Sequence, residues 1–233
     1  FEQQEVGVVK AQDNPLMQSV RQRLRHHQYT HKFSLWKRLS LKSLLDLPIV
    51  CVDAVDSTTD GSVSSDLVNE EQWDATLVFV DGRWAPETSV VPQGLEVAMQ
   101  PLSQVSSWSS FLNDMPESEI TAPLALSMAS QSLCLRVSRS MRIRVCHVLT
   151  ASGAHAVNLR VHVDSGVSVT CCDVLQDRAE GMAALLCNRD LLLERDAVFE
   201  DGHLNQFAAS TAWLCCQRVA VQRGGDYQFK QMT

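Results

Sequence analysis

The chain has 233 residues and a mass of 25.9 kDa. It is 45% hydrophobic and 20% charged, with 20 Lys and Arg against 27 Asp and Glu, a formal charge of −7 and a pI near 5.5. That length and apolar content supply a core for one large domain or two small ones, which excludes a disordered chain and any dependence on disulfide staples. The acidic balance argues against a nucleic-acid binder, whose affinity rests on clustered basic residues, and no apolar run reaches the ~20 residues that span a bilayer.

The chain opens Phe-Glu-Gln-Gln-Glu, without the charged and apolar regions of a signal peptide and without an initiator Met, so its start reads as trimmed or as part of a longer protein. The eight cysteines (Cys51, Cys134, Cys146, Cys171, Cys172, Cys187, Cys215 and Cys216) contain no C-x-x-C spacing. Adjacent cysteines close a strained ring, so reduced thiols in a cytosol-like compartment are expected.

Asp13-Asn14-Pro15 is a helix start, and Met17, Val20 and Leu24 follow at helical spacing among Arg21, Arg23 and Arg25. A second helical stretch, His31 to Leu45, carries Leu35, Trp36, Leu39, Leu41, Leu44 and Leu45 and ends before Pro48. Residues 1–50 are therefore expected to be a helical region with a solvated basic face. Residues 51–75 read as an acidic linker, with six acidic residues between Asp53 and Gln72. Residues 76–130 read as a mixed α/β connecting region. In it, Thr76 to Val80 is a strand, Asp81-Gly82 a turn, Leu95, Val97 and Met99 a second strand, and Ser103 to Met115 a short helix, with Pro116 and Pro123 as punctuation.

From about residue 131 the apolar period falls to two and a strand–turn–strand template recurs. Leu135 and Val137 lead through Ser138-Arg139-Ser140 to Met141 and Ile143. Val161 and Val163 lead through Asp164-Ser165-Gly166 to Val167 and Val169. Leu191 and Leu193 lead through Glu194-Arg195-Asp196 to Ala197 and Phe199. Val219 and Val221 lead through Gln222-Arg223-Gly224 to Gly225 and Tyr227. The markers Val137, Val163, Leu193 and Val221 are 26, 30 and 28 residues apart. A near-constant period of this unit is a solenoid signature, because no single unit buries its own apolar row. Residues 131–233 are expected to form a right-handed parallel β-helix of about four coils, so that the markers stand in one column. Arg160, His162, Asp164, Gln217 and Arg218 should point outward or into turns. No cap follows Tyr227, so the chain reads as a fragment or as having an end covered by a partner, self-association through that open β-helix end included.

The order of these features resembles the N-terminal and middle portions of SufD, the β-helical member of the SufB/SufD family of iron–sulfur cluster assembly proteins. The resemblance covers about residues 30 to 230. It rests on Trp36-Lys37 with Leu41 and Leu44, on the segment Leu77-Val78-Phe79-Val80-Asp81-Gly82-Arg83-Trp84-Ala85-Pro86, and on Asn188 to Phe199, similar to the family's coil pattern. Arg38-Leu39 departs from the family's frequent Tyr-Thr. The resemblance implies a non-catalytic scaffold subunit that pairs with SufB and with the SufC ABC ATPase in the cytoplasm, or in the plastid stroma of a plant or alga. A transient iron–sulfur cluster would be carried by the full complex. The family's docking and cluster-assembly residues lie beyond the matched portion, so the resemblance assigns no catalytic, cofactor or metal residue here.

Read for chemistry alone, the sequence has no nucleophile elbow, phosphate loop, dinucleotide fingerprint or H-E-x-x-H. The spacing places Cys187 over Cys215 and Cys146 over Cys172, and packing as small hydrophobes is expected of all of them rather than cluster or metal ligation. The histidines, including His26, His27 and His162, are expected at the surface. Asp173, Asp177, Arg178 and Glu180, and Glu194, Arg195, Asp196, Glu200 and Asp201, read as ordinary polar turns. Were either group a catalytic face, the chain would instead be a β-helical carbohydrate-active enzyme or glycan-binding module. Phe199 and Tyr227 occupy inward positions of the template.

Overall fold

The computed structural model describes residues 72–116, 119, 121–129, 131–206 and 211–232, together with Ser19 and Gln22, both helical. The expected helical region 1–50, apart from those two residues, and nearly all of the linker 51–75 lie outside the described residues, as does Cys51. The elements in chain order are β1 (Ala75–Val80), β2 (Arg83–Trp84), β3 (Leu95–Pro101), α1 (Ser107–Asp114), α2 (Thr121–Met128), β4 (Gln131–Val137), β5 (Met141–Leu149), β6 (Gly153–Val163), β7 (Ser168–Asp177), β8 (Ala183–Leu193), β9 (Val198–Gln206), β10 (Thr211–Val221) and β11 (Asp226–Met232). No helix among the described residues is long and apolar enough to cross a membrane.

The strands form two sheets, ordered β10-β8-β6-β4-β3 and β11-β9-β7-β5-β1-β2, and from β4 onward the chain alternates between them as a parallel β-solenoid of about three turns. Val137 pairs with Val163, Val163 with Leu193 and Leu193 with Val221, so the markers form the expected column at steps of 26, 30 and 28 residues. In the other sheet Met141 pairs with Val169, Val169 with Phe199 and Phe199 with Tyr227. The first corner is shorter than the rest, which sets Met141 beside Val169 rather than beside Val167. This shift breaks one expected stack: Cys146 pairs with Val174 and Cys172 with Arg144. Cys187 does stand beside Cys215.

Inward side chains of both sheets build one core, with Leu133, Leu159, Leu185, Leu191, Leu193, Ile143 and Phe199 each no more than 2% exposed. A single coil could not bury these rows; stacking pairs each strand's edges with its neighbours, and the opposing sheet covers its inner face. The connecting region contributes to the same two sheets. β1 runs parallel to β5, and β3 lies antiparallel to β4 at the outer edge of the first coil. Asp81 (φ 50°) and Gly82 (φ 81°) form the two-residue turn that closes β1 against β2, the conformation that favours Asp-Gly in hairpins. Gly82 is required sterically as well, because a Cβ there would lie 2.8 Å from the Ala156 carbonyl oxygen. The Asp81 carboxylate accepts hydrogen bonds from the Thr150 and Ala151 backbone N–H groups at 2.7 and 3.2 Å and pins this turn to the next coil.

The expected helix begins later, at Ser107, after a 3-10 turn at Leu102–Gln104, and buries Trp108, Phe111 and Leu112. α2 is an element that the sequence reading leaves as punctuation. Pro123 lies in its first turn, where a missing N–H breaks no helical bond. Seven of its eight residues are buried, so it shows no amphipathic stripe. It lies on the outer face of the first sheet, where the Asn188 amide donates to the Ala122 carbonyl (2.9 Å) and to Asn158 Oδ1 (2.9 Å).

Three corners repeat one turn. Val167, Ala197 and Gly225 donate their N–H to the carbonyls of Asp164, Glu194 and Gln222 at 3.2, 3.1 and 3.0 Å. The residue before each donor, Gly166, Asp196 or Gly224, has φ of 71°, 59° or 76°. Asp196 is the one residue of the three with a Cβ in that strained region. Asp196→Gly is expected to raise stability by about 0.5 kcal/mol despite the more flexible unfolded chain. A urea midpoint at or below the parent value would contradict this.

Candidate functional site

Along β8 the inward residues are Leu185, Cys187, Arg189, Leu191 and Leu193, so one arginine stands in an otherwise apolar row. It pairs in register with Leu159 on one side and Gln217 on the other. Across the interior, β7 presents Cys171 and Asp173, and β9 presents Asp201 and His203 beside them. Arg189 is 2% exposed, Asp173 2% and Asp201 1%.

The Arg189 guanidinium ties the two sheets together. Its Nη1 donates to Asp173 Oδ2 at 2.7 Å and to the two Asp201 oxygens at 2.9 and 3.0 Å, and Nη2 donates to Cys171 Sγ at 3.6 Å. His203 Nε2 lies 3.3 Å from both Nη1 and Asp173 Oδ2, and His147 Nε2 lies 3.7 Å from Asp173 Oδ1. Toward the last coil, Tyr227 donates its hydroxyl proton to Asp201 Oδ2 (3.0 Å), and Gln217 donates to the Tyr227 oxygen (2.7 Å) and to Asp201 Oδ2 (3.3 Å). Aromatic rings close around the cluster: His203 stacks on Trp213 with centroids 5.1 Å apart, His147 stacks on Phe79 at 5.3 Å, and Arg189 Cζ lies 5.9 Å from the Phe199 centroid.

Burial alone would raise the Asp173 carboxyl, but Arg189, together with the nearby His147 and His203 imidazoles, outweighs it and holds the carboxyl far below the usual range. Burial opposes the charge on Arg189 too, and Asp173 and Asp201 more than compensate, keeping it firmly charged. Burial, with Asp201 adjacent, drives the Tyr227 phenol upward. Burial also lifts the thiols: Cys171 and Cys187 well above the ordinary value, Cys146 to about 11 and Cys216 to about 12. A protonated thiol is a poor nucleophile; Cys146, Cys171, Cys172, Cys187 and Cys216 are buried, whereas Cys134 is half-buried and Cys215 exposed.

Asp173, Asp201 and His203 bring donor atoms within 4.8 Å of one another, a spacing that suits a cation. That place holds the Arg189 nitrogen, so the cluster carries its own positive charge. A second group of the same size, His162, Asp164 and Glu194, lies half-buried at a corner. There His162 Nε2 is 2.8 Å from Glu194 Oε1, and Arg136 Nε donates to Asp164 Oδ1 at 2.9 Å.

Several readings of individual residues change. Asp173 and Asp201, read as turn residues, lie on strands and point inward. Gln217, expected outside, also points inward, because a two-residue alternation puts it on the same side as Val219. His162 is half-exposed as expected, whereas His147, His155 and His203 are buried or nearly so; His26 and His27 lie outside the described residues. Arg160, His162 and Arg218 do face outward, and Arg218 joins Asp190 (2.7 Å) to Asp114 of α1 (2.9 Å). Asp177 stands at the end of β7, and Glu194, Arg195 and Asp196 form the corner that their sequence suggests. Compared with known protein families and with curated proteins, the chain matches no family model and no curated protein.

Proposed function

We propose that this chain is a SufD-like, non-catalytic scaffold segment for iron–sulfur cluster assembly, acting with a SufB-like subunit and a SufC-like ABC ATPase. The observation that supports the reading is the position of Leu77 to Pro86, the segment on which the resemblance most depends. It folds as β1, the Asp-Gly turn and β2, and it enters the second sheet directly under the repeating coils. A rigid stack of this kind offers long parallel faces on which subunits can assemble, and its interior holds the Arg189 ion cluster. The iron–sulfur cluster would be cargo of the assembled complex and not a resident group of these residues.

The test is co-purification of the complete parent protein with tagged SufB-like and SufC-like subunits. Retention of a stoichiometric complex through size-exclusion chromatography is expected. Absence of binding to both subunits, or uronate release or glycan binding by the isolated chain, would reject the reading.

A further inference from the structure

The first sheet ends at β3, and no strand lies beyond it among the described residues. Its hydrogen-bonding phase is fixed where the Ser138 N–H donates to the Gly94 carbonyl at 2.9 Å. In an antiparallel pair, backbone groups point alternately toward and away from the partner strand. Glu96, Ala98 and Gln100 therefore turn their N–H and C=O groups to β4, and Val97 and Met99 turn theirs outward, where no described residue meets them. The strand is seven residues long, contains no Lys, and meets proline only at its last position, Pro101. Apart from the Glu96 charge and the terminal proline, the described residues thus show none of the usual devices that keep a bare edge from pairing. Met99 is 42% exposed, and Val90 and Val91, which precede the strand, are 46% and 44% exposed. A groove of about 430 Å³ opens beside Met99, walled by Phe79, Trp84, Leu133 and Val157.

The sequence of this edge is complementary to itself. When two copies of β3 are laid antiparallel about Ala98, Val97 of one copy faces Met99 of the other, Glu96 faces Gln100, and Ala98 faces Ala98. The outward backbone groups of Val97 and Met99 then bond each other reciprocally on either side of the dyad. Apolar side chains meet on the groove side, and no like charges meet on the other, the arrangement that favours cross-strand pairs. A two-fold contact needs such a self-complementary patch. We infer that β3 is the contact strand of a homodimer in which the first sheets of two copies join into one continuous sheet. The partner is a second copy of this chain.

The experiment is light-scattering mass measurement of the 233-residue chain between about 1 and about 200 µM, with Ala98→Lys and Ala98→Cys variants. The chain should rise to twice its monomer mass within that range. Ala98 is exposed, so lysine there leaves the core intact, which circular dichroism checks, and its charge repels its own copy across the dyad. That variant should weaken dimerisation by about tenfold or more. Ala98→Cys should give a covalent dimer under mild oxidation that the parent, with its native cysteines, does not give. A chain that stays monomeric throughout the range overturns the inference. So does a dimer that Ala98→Lys leaves unchanged, or one that Ala98→Cys fails to trap, since either places the contact elsewhere.

Discussion

Replacing Arg189 with methionine is expected to lower stability by about 3–5 kcal/mol, measured by urea denaturation at neutral pH. Methionine has similar length and no charge, so little packing is lost; what changes is that Asp173 and Asp201, each no more than 2% exposed, lose the cation between them. An uncompensated buried carboxylate costs far more than the pair itself contributes. The triple variant Arg189→Met, Asp173→Asn, Asp201→Asn should recover most of the loss, because it removes the stranded charges along with their partner. If the single variant is within about 1 kcal/mol of the parent, the cluster is not the charge-balanced unit described above.

The pH dependence of that loss has a definite sign. In the parent, the folded-state pKa of Asp173 is depressed below its unfolded value. Its contribution is therefore fully present above about pH 4 and is lost as the pH falls further. Without Arg189, burial is no longer outweighed by that cation and pushes the carboxyl upward, so the folded variant holds its proton more tightly than the unfolded chain does. The penalty should then shrink as the pH is lowered from 7 toward 4. A penalty that grows over this interval would contradict the assignment of charge.

Phe199→Ala is expected to cost about 3–5 kcal/mol. Phe199 is 1% exposed and sits in the column between Val169 and Tyr227, with its ring stacked on Tyr227 at 6.3 Å and under the Arg189 guanidinium. Truncation leaves a cavity that neighbouring coils cannot fill, because each strand is fixed by backbone bonds on both sides. It also removes the ring face that the buried cation touches. Phe199→Leu, which keeps most of the volume, should lose no more than about 1.5 kcal/mol. Equal losses for the two variants would show that volume in this column does not matter, contrary to the packing seen.

The coils were legible in the sequence because burial on the inner faces imposes a strict two-residue alternation, and stacking imposes a common step. Val137, Val163, Leu193 and Val221 carry both signals. The Arg189 cluster was hidden by its composition. Asp173, Arg189 and Asp201 are residue types that usually mark solvent; Asp173 and Asp201 read with their charged neighbours as turns, and Arg189 draws no reading of its own. The signal that could have found them is parity: Asp173 follows Cys171 by two, Arg189 precedes Leu191 by two, and Asp201 follows Phe199 by two, all on the inward side. The expected stack of Cys146 on Cys172, which does not form, has a different cause. Alignment on one marker per coil cannot register a corner that is two residues short, and that corner shifts the whole second sheet in the first step. α2 escaped because it is apolar on every side and contains a proline, so neither periodicity nor composition distinguished it from a loop.

The unequal steps of 26, 30 and 28 residues share one property, that all are even. Lengthening a bend by a pair of residues displaces a coil along its neighbour but leaves the same side chains facing the axis. A single inserted or deleted residue would turn every following side chain in that coil inside out. Length variation in such a stack should therefore be tolerated in twos, and a one-residue change survives only where a bulge absorbs it before the next strand begins.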